Sequence, residues 1–208
     1  DVGCLRTTSA KLRSQHSQLR QRLNLSDKLV ILFVGQLTGV KGVDILLNAM
    51  RLIQQNRFEA VLVLVGDGPL RAVLEAEAAR LGLGDVRFAG YVQPDELARY
   101  YTAADVFGLP SRDEPWGVVV LEAMACGLPI VVSDKVGCAR DLVQNGRNGF
   151  IVPVDNPKAL AEALLGLLED ASLRKRMGRQ SQEIVQNWDY EFCISQLEKA
   201  LTVALGTK

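Results

Sequence analysis

Leu29-Val-Ile-Leu-Phe-Val34, followed at once by Gly35-Gln-Leu-Thr-Gly-Val-Lys-Gly42, decides the fold. A strand with one wet face alternates apolar and polar residues. This run does not alternate, so it reads as a strand buried on both faces, the mark of a parallel sheet covered by helices. The glycine-bearing loop then enters an amphipathic helix over 43–55, with Ile45, Leu46, Ala49, Met50, Leu52 and Ile53 apolar. Ala60-Val-Leu-Val-Leu-Val65 repeats the pattern and closes in Gly66-Asp-Gly-Pro69. Pro69 there suits the first position of a helix running to Leu81.

The same alternation continues to the end of the chain. Strands are expected at 85–89, 105–109, 130–132 and 150–152. Helices are expected at 94–103, from about Gly117 to Gly127, 139–144, 157–169, 171–187 and 190–204. Strand and helix alternate throughout, which predicts an open, doubly wound, Rossmann-like α/β fold. It has a parallel six-stranded sheet, right-handed crossovers and C-terminal helices. Residues 26–208 read as one domain. Residues 1–25 read as a linker and a basic helix over 9–23, capped by Ser9, with Leu12, Leu19 and Leu23 on one stripe and its charges on a solvated face. The first residue is Asp, which suggests a piece cut from a longer protein.

Composition narrows the chemistry. The 208 residues carry 24 basic and 24 acidic side chains, a formal charge of zero, so no nucleic-acid partner is expected. No apolar run reaches membrane-spanning length. Cys4, Cys126, Cys138 and Cys193 are scattered, which favours reduced thiols over disulfides or a zinc site. His16 is the one histidine, so multi-histidine metal sites and Ser-His or Cys-His catalysis are not expected. No Asp-x-Asp pair or other carboxylate cluster suits Mg²⁺. No metal and no cofactor are therefore expected, and the location is expected to be cytoplasmic. Peripheral attachment at the inner membrane face is left open.

In a doubly wound sheet, ligands bind outside the carboxyl ends of the strands. Five loops fall there: Gly35–Gly42, Gly66–Pro69, Gly90–Gln93, Ser111–Gly117 and Ser133–Gly137. The fourth opens Glu114-Pro-Trp-Gly-Val-Val-Val-Leu-Glu122, with two carboxylates eight positions apart. Eight helical residues would separate them by about 12 Å on broadly one side. That is too far for joint work on one bond, where about 5 Å is needed. It suits the two ends of a long ligand. The free N–H groups at Trp116, Gly117 and Val118 would lie between, where a phosphate could be held. Two glutamates at this spacing could also be a loop acid and a helical Glu on a wet face. Glu122, however, sits in a helix apolar nearly all round, where a charge needs a partner or a ligand. Lys41 lies at a helix start, where it opposes the dipole and so favours an anion partner. Gly35-x-x-x-Gly39-x-Lys41-Gly42 is not a Walker A loop, which needs Gly before the Lys and Ser or Thr after it. Gly66-Asp-Gly68-Pro-Leu-Arg71 fails the dinucleotide fingerprint at Arg71. Trp116 reads equally as core packing or as a wall of the site.

Taken together, these stretches resemble the C-terminal, donor-binding half of a GT-B glycosyltransferase of the retaining GT4 family, over roughly Leu29 to Val203. Phe33 to Leu47 is similar to the family's phosphate loop and helix. Val65-Gly-Asp-Gly-Pro, Phe88-Ala-Gly-Tyr-Val92 and Asn145-Gly-Arg-Asn-Gly-Phe-Ile-Val-Pro153 match further family elements. Glu114 to Glu122 matches its E-x7-E motif. The resemblance implies a hexosyltransferase that is metal-independent and takes a UDP-, GDP- or ADP-linked sugar. Glu114 and Lys41 would be catalytic. Lys41 would neutralise the diphosphate, with Gly35 and Gln36 in its loop, and Glu114 would bind the transferred sugar. The amides of Trp116, Gly117, Val118 and Val119 would hold phosphate. Glu122 would take the ribose, and Tyr91 and Val92 would line the base pocket. The family commonly has Arg at Gln36, so phosphate binding should be weaker here, and Asp141 is a shorter acid than usual. A GT-B enzyme has two such domains, so the N-terminal acceptor domain would be a missing partner and this half inactive alone. A non-catalytic nucleotide-sugar module and a structural α/β partner domain remain the alternatives.

Overall fold

A computed structural model describes residues 2–25, 28–186, 188 and 190–206, and only the backbone of 2 and 190–193. Six strands form one parallel sheet: β1 (Leu29–Val34), β2 (Ala60–Val65), β3 (Val86–Gly90), β4 (Val106–Leu109), β5 (Ile130–Ser133) and β6 (Gly149–Val152). Their order is β3-β2-β1-β4-β5-β6, the doubly wound order with its switch point between β1 and β4. Each strand lies within one residue of its expected bounds.

Ten helices connect and cover the sheet among the described residues. They are α1 (Val2–Arg13), α2 (His16–Arg22), α3 (Val43–Gln55), α4 (Arg71–Arg80), α5 (Pro94–Ala103), α6 (Val118–Ala125), α7 (Ala139–Leu142), α8 (Pro157–Glu169), α9 (Ala171–Val185) and α10 (Tyr190–Leu205). On one face α3 packs against α4 and α8, while α1 packs against α5 and α6 on the other. The uninterrupted apolar runs are explained by this double cover: every residue of β2, and every residue of β1 after Leu29, is buried. The expected stop of α6 at Gly127 is present, with φ 76°.

Four expectations are corrected. The single helix over 9–23 is two helices, α1 and α2. Thr7 does not end α1, because its hydroxyl donates back to the Gly3 carbonyl at 2.9 Å. Ser9 is no cap: it is buried mid-helix and accepts a hydrogen bond from the Thr102 hydroxyl at 3.0 Å. Nor are all the basic residues solvated. Arg20 is buried, pairs with Asp105 at 3.0 Å and donates to the Ala103 carbonyl, tying α2 to the start of β4. Finally, Pro69 does not begin α4. The amide of Leu70 donates to the Leu37 carbonyl and that of Arg71 to the Gly68 carbonyl, so the chain makes one more turn and α4 starts at Arg71.

Cys4, Cys126 and Cys138 carry free thiols. The side chains of Cys193, Tyr190 and Phe192 are not among the described ones, although their backbone belongs to α10. No helix among the described residues is long and apolar enough to cross a membrane.

Candidate functional site

The carboxyl ends of β1 and β4 flank the switch point, and the loops leaving them are bound to their neighbours. The Gly35 amide donates to the Val65 carbonyl, and that of Leu37 to the Asp67 carbonyl. Gly66, at φ 131°, lies so near the first loop that a Cβ there would stand 2.0 Å from the Gly35 carbonyl oxygen. Only glycine fits both the angle and the contact.

The β1 loop contains a short 3-10 turn over Gly39–Lys41, and the β4 loop carries Glu114. The two side chains meet: the Lys41 ammonium donates to the Glu114 carboxylate as an ion pair. The side chains are 21% and 14% exposed, so water screens the pair only in part. Arg112 fixes the two loops to each other. Its guanidinium donates to the Gly39 carbonyl at 2.8 Å, grips both Asp44 oxygens at 2.9 and 2.6 Å, and reaches Asp155 at 2.7 Å. Burial works against ionisation of Asp44. The Arg112 guanidinium outweighs it and holds the carboxyl below its usual range. Arg112 is a residue that sequence reasoning missed. Its signal was present only as a cation next to the motif, with no way to see Asp44 and Asp155 converge on it. Thr38 and Ser111 were missed too. Their hydroxyl oxygens are buried and have no hydrogen-bond partner among the described residues.

From below, the β5 loop holds the motif in place. The Gly137 amide donates to the Glu114 carbonyl at 2.8 Å and the Cys138 amide to the Trp116 carbonyl at 2.8 Å. Burial pushes the Cys138 thiol up to about 12, so it stays protonated and donates toward the Gly117 carbonyl rather than acting as a nucleophile.

The helix of the motif has its expected bounds: α6 begins at Val118, and Gly117 precedes it in the left-handed region at φ 99°. Glu114 lies in the loop before it, as expected, so the rise of eight helical residues, about 12 Å, does not measure the separation of the two carboxylates. Their neighbours differ as well. Glu122 accepts a hydrogen bond at 2.7 Å from the hydroxyl of Tyr101, a fully buried residue. Burial and the adjacent Glu122 push the Tyr101 hydroxyl well above its usual value, so it remains a donor. The sequence reading that Glu122 needs a partner or a ligand is met at least by this partner. Among the described residues, the amides of Trp116, Gly117, Val118 and Val119 donate to no backbone carbonyl. They are the unsatisfied donors of a helix start.

The remaining candidates are placed around this centre. Gln36 is exposed in the β1 loop, and its side chain has no hydrogen-bond partner among the described residues. Tyr91, 69% exposed, and the half-buried Val92 follow β3 at the far edge of the same row of loops. Trp116 is neither core nor free wall: 36% exposed, it packs on Trp188 with ring centroids 5.9 Å apart. Chemically, the centre offers a cation and open amides for phosphate oxygens, and carboxylates for hydroxyl donors. Among the described residues, no group of three or more His, Cys, Asp or Glu could hold a metal ion.

Comparison with known proteins agrees with this fold. A family model described as "Glycosyl transferases group 1" matches residues 15–184. An uncharacterized glycosyltransferase of Methanocaldococcus jannaschii is 39% identical over 167 residues, 78% of this chain and 42% of that protein. Sucrose-phosphate synthase from Thermosynechococcus elongatus superposes with a TM-score of 0.78 at 34% identity, over 90% of this chain and 49% of that one. HepE of Anabaena, solved in complex with UDP-glucose, superposes with a TM-score of 0.81 at 29% identity, over 91% and 53%. The chain thus spans about half the length, or somewhat less, of the relatives it matches.

Proposed function

We propose, because this chain belongs to the group 1 glycosyl transferases, that it is the donor-binding half of a retaining hexosyltransferase with a GT-B fold. The observation that carries the reading is the Lys41–Glu114 pair at the switch point, beside four amides that donate to no carbonyl. In this reading a nucleoside diphosphate sugar lies across the carboxyl edge of the sheet. Lys41 and the amides of Trp116 to Val119 take the phosphates. Glu114 turns from Lys41 to the hydroxyls of the transferred sugar, and Glu122 takes the ribose, braced by Tyr101. Tyr91 and Val92 line the base. The likeness to HepE makes a uridine diphosphate the first donor to try.

The transfer is proposed to run without a metal ion, with Lys41 supplying the counter-charge. The bond from the anomeric carbon to the phosphate oxygen breaks. A bond to the acceptor hydroxyl forms on the same face, and the acceptor proton passes to the departing phosphate. The acceptor domain is proposed to lie in another part of the protein, so this chain alone should bind donor and transfer nothing.

Calorimetric titration with UDP, GDP and ADP, each with and without Mg²⁺, tests the reading. One of the three should bind, indifferent to Mg²⁺, and Glu122→Ala should weaken it at least about tenfold, the loss of roughly 1.4 kcal/mol. The same chain given a radiolabelled nucleotide sugar should yield no product. Failure of all three nucleotides to bind both this chain and a longer form carrying the rest of the enzyme would overturn it. Gln36 favours a second reading, a module that binds nucleotide sugars without catalysis, because a neutral exposed side chain stands where the family commonly has Arg. Measurable transfer by the longer form eliminates that alternative.

A further inference from the structure

At the opposite, amino edge of the sheet lies a second feature, which has only Tyr101 in common with the candidate donor site. A cavity of about 410 Å³ lies between α1–α2, the end of α5, the end of α6, and α9. Arg13, His16, Lys175 and Arg179 all line it, with Gln182 as a further donor, and none of its lining residues is acidic. Elsewhere Lys28, Arg71, Arg80, Arg99 and Arg112 each pair with a carboxylate. Lys175 and Arg179 have no ion pair among the described residues.

Two of the lining groups are already fixed. The Arg13 guanidinium donates to the Cys126 carbonyl at 2.8 Å, and the Gln182 amide to the Ala125 carbonyl at 3.1 Å. Both satisfy the end of α6 and thereby hold their remaining N–H groups at the cavity floor. Lys175 and Arg179, four residues apart on α9, share one side of that helix. The cavity is concave and of the size that takes small ligands, about 300–1,000 Å³. A convex basic face would instead suit an extended polyanion. Burial, with Arg20 and Arg13, depresses the ionisation of His16 against an opposing effect of Asp105.

We propose that this cavity is a second binding site, for a small phosphate-bearing anion, with Arg13, His16, Lys175 and Arg179 as its ligands. It is distinct from the candidate donor site, since it stands at the other edge of the sheet.

His16 is the one histidine of the chain, so its ring gives a single, assignable set of NMR signals. The 208-residue chain is titrated with sodium pyrophosphate at constant ionic strength, with sodium chloride as control. The His16 signals should shift saturably with pyrophosphate alone. In the double variant Lys175→Gln, Arg179→Gln, whose substituted residues are exposed and leave the α6 cap intact, the apparent Kd should rise at least tenfold. The response should persist in Lys41→Ala. A shift that does not saturate, that chloride reproduces, or that ignores the double variant overturns the site. A shift abolished by Lys41→Ala would place the phosphate at the donor loops instead. Sedimentation with phosphatidylglycerol vesicles separates the sources of the phosphate. Binding that pyrophosphate competes away assigns a lipid headgroup to this cavity. No vesicle binding assigns a free phosphate compound. Vesicle binding that pyrophosphate leaves unchanged counts against the cavity.

Discussion

Tyr101 is the residue whose part in the site no local pattern reveals. Its hydroxyl is buried and reaches one acceptor of interest, the carboxylate of Glu122. Tyr101→Phe removes that donor while preserving the ring that packs on Phe107. The expected cost in stability is roughly 1–3 kcal/mol, because a partly buried carboxylate loses a charge-assisted bond. Chemical denaturation reads the stability, and the UDP titration should show a parallel loss of affinity if the bond aims Glu122 at the ribose. His16 supplies a pH signature of its own. Its folded-state pKa lies below the ordinary 6.5, so the unfolded chain takes up the proton first. The contribution to stability is therefore complete above that value and is lost as pH falls through it toward the folded-state value. Urea midpoints measured from about pH 8 down to about pH 5 should decline, and His16→Gln should flatten the decline. At this scale the sequence shows which residue types are present and which stand at loop positions. It does not show that Lys41 and Glu114, 73 positions apart, pair with one another.

Among the elements, the strands are the most legible, since unbroken apolar runs such as 29–34 and 60–65, each ending at a glycine, admit few other readings. Helix starts are less so. Pro69 has the right local chemistry for one, yet hydrogen bonds from the adjacent β1 loop decide where α4 begins. Ser9 looks like a helix boundary in the sequence, yet the helix runs through it, because its hydroxyl finds a partner on α5 that the local sequence cannot show. The opposite holds for α8. There Asn156 caps the helix by accepting from the Ala159 amide at 3.0 Å, with Pro157 next, in keeping with the expected start. Arg112 acts on this scale, because it joins the turn of Gly39–Lys41, the first turn of α3 and the loop before α8. Arg112→Ala should leave Asp44 unpaired and loosen that turn. Nucleotide affinity should fall several-fold, with the folded state still formed. Hydrogen exchange at Val40 to Gly42 should speed up, whereas exchange in β1 should not change.

For the whole molecule, the order of the strands follows from the alternation of elements and the right-handed crossover rule, which together leave few other topologies. The five loops named from the sequence do come to one edge. The cavity at the other edge was not legible, because it is built from α1, α2, α5, α6 and α9, segments far apart in the chain. The basic residues of the first 22 positions looked like an ordinary wet surface until α9 was set beside them. The chain spans about half of its relatives, and on the proposed reading its carboxyl edge would be one side of a larger cleft.

The packed rings of Trp116 and Trp188, tilted by 35°, have a use of their own. They are the chain's two tryptophans, and they stand 5.9 Å apart, one beside the open amides and one just before the last helix. Intrinsic fluorescence of this protein is therefore a local signal from that junction rather than an average over the fold. Any event that parts the two indoles, whether a nucleotide entering the loop or a neighbouring domain drawing on α10, should change emission and the near-ultraviolet circular dichroism together. Trp188→Phe should abolish the change while leaving nucleotide binding measurable by calorimetry. The molecule carries its own optical gauge, with no label to attach.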